Sequence, residues 1–158
     1  MILVVGATGL VGGEVCKKLA ARGEKVRALV RTTSAKEKVD ALRSAGVELC
    51  VGDLKDPGSL AAACRGVDAV ISTASSTLSR HTGDSIESVD GAGQMSLVDA
   101  AKAANVERFL FVSFRRPPGL SFPLGDAKRA VEEAIASMNF TVIQDRKSVV
   151  RERVCSTV

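Results

Sequence analysis

Three glycines near the amino end have the spacing of a phosphate-binding turn. Gly6, Gly9 and Gly12 lie three residues apart, immediately after the apolar run Ile2–Val5. In such a turn, one glycine lets the chain reverse, one lets the backbone approach a diphosphate, and one lets helix and strand pack closely. The following helix start offers unpaired N–H groups and a partial positive charge, which suit a phosphate pair. We therefore predict a dinucleotide-binding turn whose contact residues are Gly6, Thr8, Gly9, Leu10, Val11 and Gly12.

The residues around the turn give it a context that a glycine triplet alone lacks. Ile2–Val5 has the composition of a strand buried on both faces. Apolar residues between positions 10 and 19 recur at helical spacing, and Lys25–Val30 is typical of a second strand. The order strand, turn, helix, strand is the one that a dinucleotide-binding unit requires. The alternative is an ordinary glycine turn.

The end of the second predicted strand indicates which dinucleotide binds. A carboxylate at this point accepts hydrogen bonds from the adenosine ribose of NAD, whereas an arginine accommodates the 2′-phosphate of NADP. The chain carries Arg31-Thr32-Thr33-Ser34 here and has no acidic residue before Glu37. We expect NADP in preference to NAD, with Arg31 on the phosphate and a hydroxyl of Thr32, Thr33 or Ser34 as a further donor. The alternative for Arg31 is a surface arginine at a strand end.

Four segments together resemble one protein family. They are GATGLVGGEV at 6–15, VGDL at 51–54, DAVISTAS at 68–75 and VERFLFVS at 106–113. In this order they resemble the NmrA-like branch of the atypical short-chain dehydrogenase/reductases, from Met1 to about Ile143. The resemblance implies a Rossmann-like NAD(P)-binding domain and oxidoreductase chemistry.

The resemblance also implies further cofactor contacts. Asp53 would accept a hydrogen bond from the adenine amino group, and Leu54 would form an apolar wall beside it. The backbone after the fourth predicted strand would line the inner ribose, through Thr73, Ala74 and Ser75. The alternative for Asp53 is a turn or helix-capping residue before Pro57.

The superfamily's catalytic residues are matched only in part. The usual set is a serine at the end of the fifth strand and a tyrosine four residues before a lysine. Ser113 and Lys128 stand at matching positions, but Leu124 occupies the tyrosine position and the chain contains no tyrosine. Lys128 would then act as general acid or base, or hold the ribose hydroxyls. The alternatives are an exposed charge on an amphipathic helix for Lys128 and a plain strand-end hydroxyl for Ser113.

Strands and helices alternate along the chain. This pattern predicts an α/β fold with a doubly wound, Rossmann-like parallel sheet in three α/β/α layers. A loop rich in Ser and Thr, Ser75–Ser85, contains the only histidine, His81, which we interpret as a solvated loop residue. Strands are predicted at 2–5, 25–30, 47–51, 68–73, 107–113 and 140–143, and helices from about 10, at 35–45, 57–64, 89–104 and 126–138.

The carboxyl end departs from the family pattern. We assign residues 1–144 to the NAD(P)-binding domain and expect 145–158 to be a non-native or disordered tail. The fold would then lack the C-terminal half that encloses the substrate in the family. The alternative is a short, divergent native tail.

Composition excludes several classes of function. The net charge is +4 and the basic residues do not gather on one predicted face, which argues against nucleic-acid binding. The four cysteines lack metal-binding spacing, and no apolar run approaches the length of a membrane span. We expect a cytoplasmic protein with no metal whose partners are a dinucleotide and an unidentified small substrate. If the strand at 140–143 exposes its edge, a second copy of the chain could cover it and form a homo-oligomer.

Two functions from different classes are compatible with these residues. The first is an NADPH-dependent oxidoreductase acting on a small carbonyl or quinone-like substrate. The second is a non-catalytic NADP(H)-binding redox sensor or assembly factor, which the missing tyrosine favours. An incomplete fragment of a longer reductase is the third interpretation.

Overall fold

A six-stranded parallel sheet forms the centre of the structure. The computed structural model describes residues 1–78, 81–114, 119, 121–136 and 141–145. The strand order is β3-β2-β1-β4-β5-β6, and each neighbouring pair is parallel. The predicted doubly wound fold is therefore confirmed. The strands are β1 (Ile2–Val5), β2 (Val26–Val30), β3 (Glu48–Val51), β4 (Ala69–Ser72), β5 (Arg108–Phe114) and β6 (Thr141–Asp145).

Helices connect the strands at close to the predicted positions. Two of them start earlier than predicted. A π-helical segment, Ile86–Gly93, runs directly into α4 and begins with a capping box between Ser85 and Ser88. The last helix starts at Pro123, a residue whose fixed φ suits a first helical turn. The helices are α1 (Leu10–Ala21), α2 (Lys36–Ser44), α3 (Pro57–Ala63), α4 (Gln94–Ala103) and α5 (Pro123–Ala136), with a 3₁₀ turn at Ser76–Leu78.

Alternation along the strands separates two apolar cores. On β1, Val4 packs into the cluster that contains Cys16 of α1 and Leu42 of α2. Its neighbours Leu3 and Val5 belong to the larger cluster on the opposite face, which also includes residues of α3, α4 and α5. Successive strand residues point to opposite faces, so helices on both sides are needed to cover this sheet. The three-layer prediction is confirmed.

The buried face of α5 is not uniformly apolar. Ala130 is exposed, although alanine would suit a buried position. The buried positions of this helix are Gly125, Lys128, Val131 and Ile135. A lysine therefore lies on the side of α5 that packs against the sheet.

The last described strand extends past its predicted end. Gln144 and Asp145 pair with Ser113 and Phe114 of β5, so β6 continues two residues beyond Ile143. The remainder of the predicted tail, 146–158, lies outside the described residues. Within the described ranges, no helix has the length and apolar character needed to cross a membrane.

Candidate functional site

The glycine turn brings the start of α1 into direct contact with the end of β1. A Cβ atom at Gly12 would lie 2.2 Å from the carbonyl oxygen of Gly6. Such an overlap could be relieved only by a shift of the backbone. Gly6 has φ +83°, and a Cβ there would lie 2.7 Å from Thr73 Oγ1. The amide of Gly9 donates to the Gly6 carbonyl at 2.9 Å. The turn therefore admits no side chain at Gly6 or Gly12.

Thr73 ties this turn to the neighbouring strand. Its amide donates to the Val5 carbonyl at 2.9 Å, and its hydroxyl donates to the same oxygen at 3.1 Å. These bonds join the carboxyl ends of β1 and β4, the two strands between which the sheet order reverses direction. Open α/β sheets bind their ligands in the crevice at such a reversal.

The start of α1 is suited to an anion. Gly9 is its N-cap residue and, within the described part of the chain, the helix has neither a side-chain cap nor an acidic residue in its first turn. Its first N–H groups therefore point outward beside a glycine cradle that a Cβ would fill, which is the arrangement that a diphosphate requires. The predicted contact residues Leu10 and Val11 are 87% and 54% exposed at this surface.

A cavity of about 250 Å³ lies beside the turn, between α1 and α2. Thr8, Gly9 and Leu10 line it together with two lysines, Lys17 and Lys38. The sequence analysis missed both lysines. A signal was available for Lys38, because it lies in the first turns of the helix that follows Arg31.

A second cavity of about 300 Å³ lies at the ends of β2 and β3. Arg31 follows β2 and donates from Nη1 to Asp84 Oδ2 at 2.7 Å, and Lys55 donates from Nζ to Asp84 Oδ1 at 2.8 Å. This hydrogen bond is the main reason that the pKa of Lys55 is raised. The exposed His81, interpreted above as a solvated loop residue, is also part of this wall. The lining residues are Arg31, Thr33, Asp53, Lys55, His81, Thr82 and Asp84.

The predicted residues around this cavity take different places. Thr33 lines it, whereas Thr32 is exposed outside its lining. Asp53 lines the cavity and also closes a turn, since its Oδ1 accepts from the Lys55 amide at 2.9 Å. The cap of α3 is Asp56, which accepts from the Gly58 amide at 3.0 Å. Leu54 is 7% exposed and packs in the larger core, so its role as an adenine wall stays a prediction.

Lys128 is buried at the end of β5. It is 6% exposed, so the interpretation of this residue as an exposed helical charge is wrong. Its Nζ donates to the Val112 carbonyl at 3.2 Å and lies 4.7 Å from the centre of the Phe111 ring. Asp90 Oδ1 lies 3.8 Å from the same nitrogen. Burial lowers the pKa of Lys128, and the charges of Asp90 and Glu132 oppose this effect.

Asp90 faces Lys128 from the π-helical segment and is completely buried. Its Oδ2 accepts from the amide of Ser76 at 2.9 Å and from the Ser76 hydroxyl at 2.6 Å. Among the described residues, Oδ1 has no hydrogen-bond partner and faces the Lys128 ammonium. π-Helical turns inside helices are frequent at functional sites. The sequence analysis did not identify Asp90.

Two further contacts fix the surroundings of this pair. Gln94 is fully buried, accepts from Ser72 Oγ at 2.8 Å and donates to the Ala74 carbonyl at 3.0 Å. The hydroxyl of Ser113 donates to the Glu132 carboxylate. Ser75, the last of the predicted ribose contacts, shares a hydrogen bond with Thr77 at 2.7 Å. The ends of β4 and β5 thus carry a connected polar region between the glycine turn and Lys128.

The chain has a Rossmann-like α/β fold, which it shares with reductases that were solved with a bound nicotinamide dinucleotide. Residues 1–143 match the model of the NmrA-like family. The chain therefore belongs to the NmrA-like family, as its sequence motifs predicted.

Relatives of this chain have different named roles. The photosystem II assembly factor Ycf39 of Cyanophora paradoxa is 35% identical over 146 residues, which make up 90% of this chain and 44% of that protein. Triphenylmethane reductase of Citrobacter sp., solved with NADP(H), has a TM-score of 0.70 and 26% identity over 92% of this chain and 49% of that one. A short-chain dehydrogenase/reductase superfamily protein of Agrobacterium tumefaciens, solved with NAD, has a TM-score of 0.69 and 30% identity. The match covers 91% of this chain and 48% of that one. The chain spans about half the length of these proteins.

A methyl group at Gly12 tests the contact between α1 and β1. We expect Gly12→Ala to lower the free energy of unfolding by about 3 kcal/mol, because the backbone must move to relieve the overlap. Gly91→Ala is the matched control, since a Cβ there meets its nearest neighbour at 3.7 Å. Urea unfolding measures both variants. Equal stability of Gly12→Ala and the parent would contradict the geometry.

Removing the charge of Asp90 tests its influence on Lys128. We expect Asp90→Asn to lower the pKa of Lys128 further, because burial then acts with less opposition. Because the pKa of Lys128 is lowered in the folded state, folding disfavours its charged form. The free energy of unfolding therefore rises as the pH increases from that lowered pKa toward the unfolded value of about 10.4. In Asp90→Asn, the pH range over which the free energy of unfolding rises should begin at a lower pH.

The measurement is the NMR titration of the Lys128 side-chain methylene beside the amine. Asp99→Asn removes the same charge from an exposed position on α4 and should leave the titration unchanged. A Lys128 pKa that stays constant or rises in Asp90→Asn would show that Asp90 does not stabilise the ammonium.

Proposed function

We propose that this chain binds a nicotinamide dinucleotide along the carboxyl edge of its sheet, NADP(H) in preference to NAD(H). The observation that carries the proposal is the close approach of Gly12 to Gly6, which leaves the first amides of α1 open beside a side-chain-free cradle. The named complexes of the triphenylmethane reductase with NADP(H) and of the Agrobacterium protein with NAD support a nicotinamide dinucleotide in this fold.

The two ends of the dinucleotide would meet different side chains. The diphosphate would lie on the glycine turn, and the adenosine ribose would point to the cavity of Arg31 and Asp53. The inner ribose would lie along the backbone of 73–75, on the side of the polar region that contains Lys128. Arg31 is the basis for the NADP preference, since a guanidinium pairs with phosphate through more than one N–H.

We propose further that the chain reduces a small carbonyl or quinone-like substrate. The bound nicotinamide would supply the hydride. Lys128 is the group of this chain suited to donate the accompanying proton, because it is buried, its pKa is lowered, and Asp90 lies 3.8 Å from its nitrogen. Ser113, whose hydroxyl donates to Glu132, would help to orient the substrate oxygen.

A second candidate is a binding protein without catalysis that acts in assembly or as a redox sensor. Leu124 supports it, since leucine at the tyrosine position of the superfamily pattern can neither donate nor accept a proton. The similarity to an assembly factor supports the same candidate.

Arg31→Ala tests the cofactor preference. We expect it to weaken NADPH binding by about tenfold to a hundredfold, because a hydrogen bond to a charged group contributes about 1.5 to 3 kcal/mol. The dissociation constant for NADH, measured by calorimetry, should change by less than about twofold. Arg43→Ala is the control, an exposed arginine paired with Asp40 on α2. Equal losses for NADPH and NADH would remove Arg31 from the phosphate site.

Lys128→Ala distinguishes the two candidate functions. NADPH oxidation is followed by absorbance with a panel of quinones and aldehydes, and we expect kcat to fall by at least about 100-fold. Lys102→Ala, an exposed lysine of α4, should retain the parent rate. Unchanged turnover in Lys128→Ala would exclude it as the proton donor. Saturable NADPH binding by the parent without turnover of any substrate would favour the non-catalytic candidate.

A further inference from the structure

The arginine assigned to the 2′-phosphate is already paired with a carboxylate. Asp84 bridges two cations, with Oδ2 2.7 Å from Arg31 Nη1 and Oδ1 2.8 Å from Lys55 Nζ. The Asp84 side chain is only 2% exposed, whereas those of Arg31 and Lys55 are 31% and 32% exposed. The carboxylate is thus more deeply buried than the two cations, and all three residues line the cavity.

The charges around this cavity nearly balance. Of the described residues that line it, Arg31 and Lys55 are cationic and Asp53 and Asp84 are anionic. A phosphate monoester carries a charge of about −1.5 to −2 near neutral pH. It would be attracted by the two cations and repelled by two carboxylates of the same wall. A ribose 2′-hydroxyl carries no charge and can donate a hydrogen bond to a carboxylate, so the same carboxylates do not repel the adenosine ribose of NAD(H).

From this arrangement we propose that Asp84 is a specificity-determining residue that competes with the 2′-phosphate for Arg31 and Lys55. Asp84 lowers the preference for NADP(H) and keeps NAD(H) a usable ligand of the same cavity. The inference rests on the proposed dinucleotide function and extends it from the residue that attracts the phosphate to one that opposes it. Like charges placed close together at a binding site discriminate strongly between ligands.

Asp84→Asn tests the proposal because asparagine keeps the size and one acceptor oxygen of the side chain but removes its charge. We expect the ratio of NADPH to NADH affinity to rise by at least about tenfold, which corresponds to 1.4 kcal/mol, through tighter NADPH binding. Affinity for NADH should change by less than about threefold. Asp99→Asn, an exposed aspartate of α4, controls for the change in net charge and should leave the ratio unchanged.

A double variant shows whether the effect passes through Arg31. In the Arg31→Ala background, Asp84→Asn should increase NADPH affinity by much less than it does in the parent, because the competing partner is gone. Asp84→Ser provides a second uncharged side chain should the asparagine variant unfold, and it should shift the ratio in the same direction. Thermal unfolding establishes that each variant is folded before titration.

The outcomes separate this inference from the proposed function. A ratio that rises in Asp84→Asn and not in Asp99→Asn supports competition. If the parent binds both nucleotides and the ratio of NADPH to NADH affinity is unchanged or lower in Asp84→Asn, the inference is overturned. Asp84 would then position Arg31 for the phosphate or have no influence. The proposed function would stay intact. Absence of binding of either nucleotide by the folded parent would overturn both.

Discussion

The contact between Gly12 and the Gly6 carbonyl sets the distance between α1 and the sheet, and the site depends on this distance. With any side chain at either position, the helix start would have to move away from the end of β1. Thr73 then fixes β4 to the same point through two bonds to the Val5 carbonyl. The result is a rigid corner with open amides at the place where the strand order reverses, and the charged cavity and the lysine site lie on either side of it.

Both sides of the corner contain buried charge, which costs free energy unless it is paired. Asp84 is compensated by two cations, and Asp90 by two hydrogen bonds from Ser76 and by the facing Lys128. Apolar side chains of similar volume would fill a core at lower cost. Polar groups concentrated at the carboxyl ends of the strands, and paired in this way, are what a binding or catalytic site requires.

The sequence was sufficient to predict the fold and the tight glycine turn between β1 and α1, because both follow from local patterns. Alternating strands and helices determine the layers, and the three glycines have a mechanical role that depends only on their spacing. The pairing of Arg31 with Asp84 was not predictable, since 53 positions separate these residues and only the sheet brings β2 beside the loop after β4. The π-helical segment Ile86–Gly93 before α4 was also not predicted, because the spacing of apolar residues was compared with the 3.6-residue repeat of an α-helix.

A usable signal for the lysine site was nevertheless present. Asp90 and Gln94 lie on the same helical stripe as Leu97, Val98 and Ala101, and Lys128 lies on the stripe of Val131 and Ile135. A polar residue within an apolar stripe is either costly or functional. The polar residues within these two apolar stripes therefore indicate both members of the buried pair, Asp90 and Lys128.

The most direct test of the central claim is an NMR titration of the ¹⁵N-labelled protein with NADP⁺. If the corner binds the diphosphate, the amide resonances of residues 6–13 and 73–76 should shift together and saturate with one equivalent, ahead of those on the opposite edge of the sheet. Saturable shifts confined to other residues, or a folded protein whose spectrum does not change, would contradict the account.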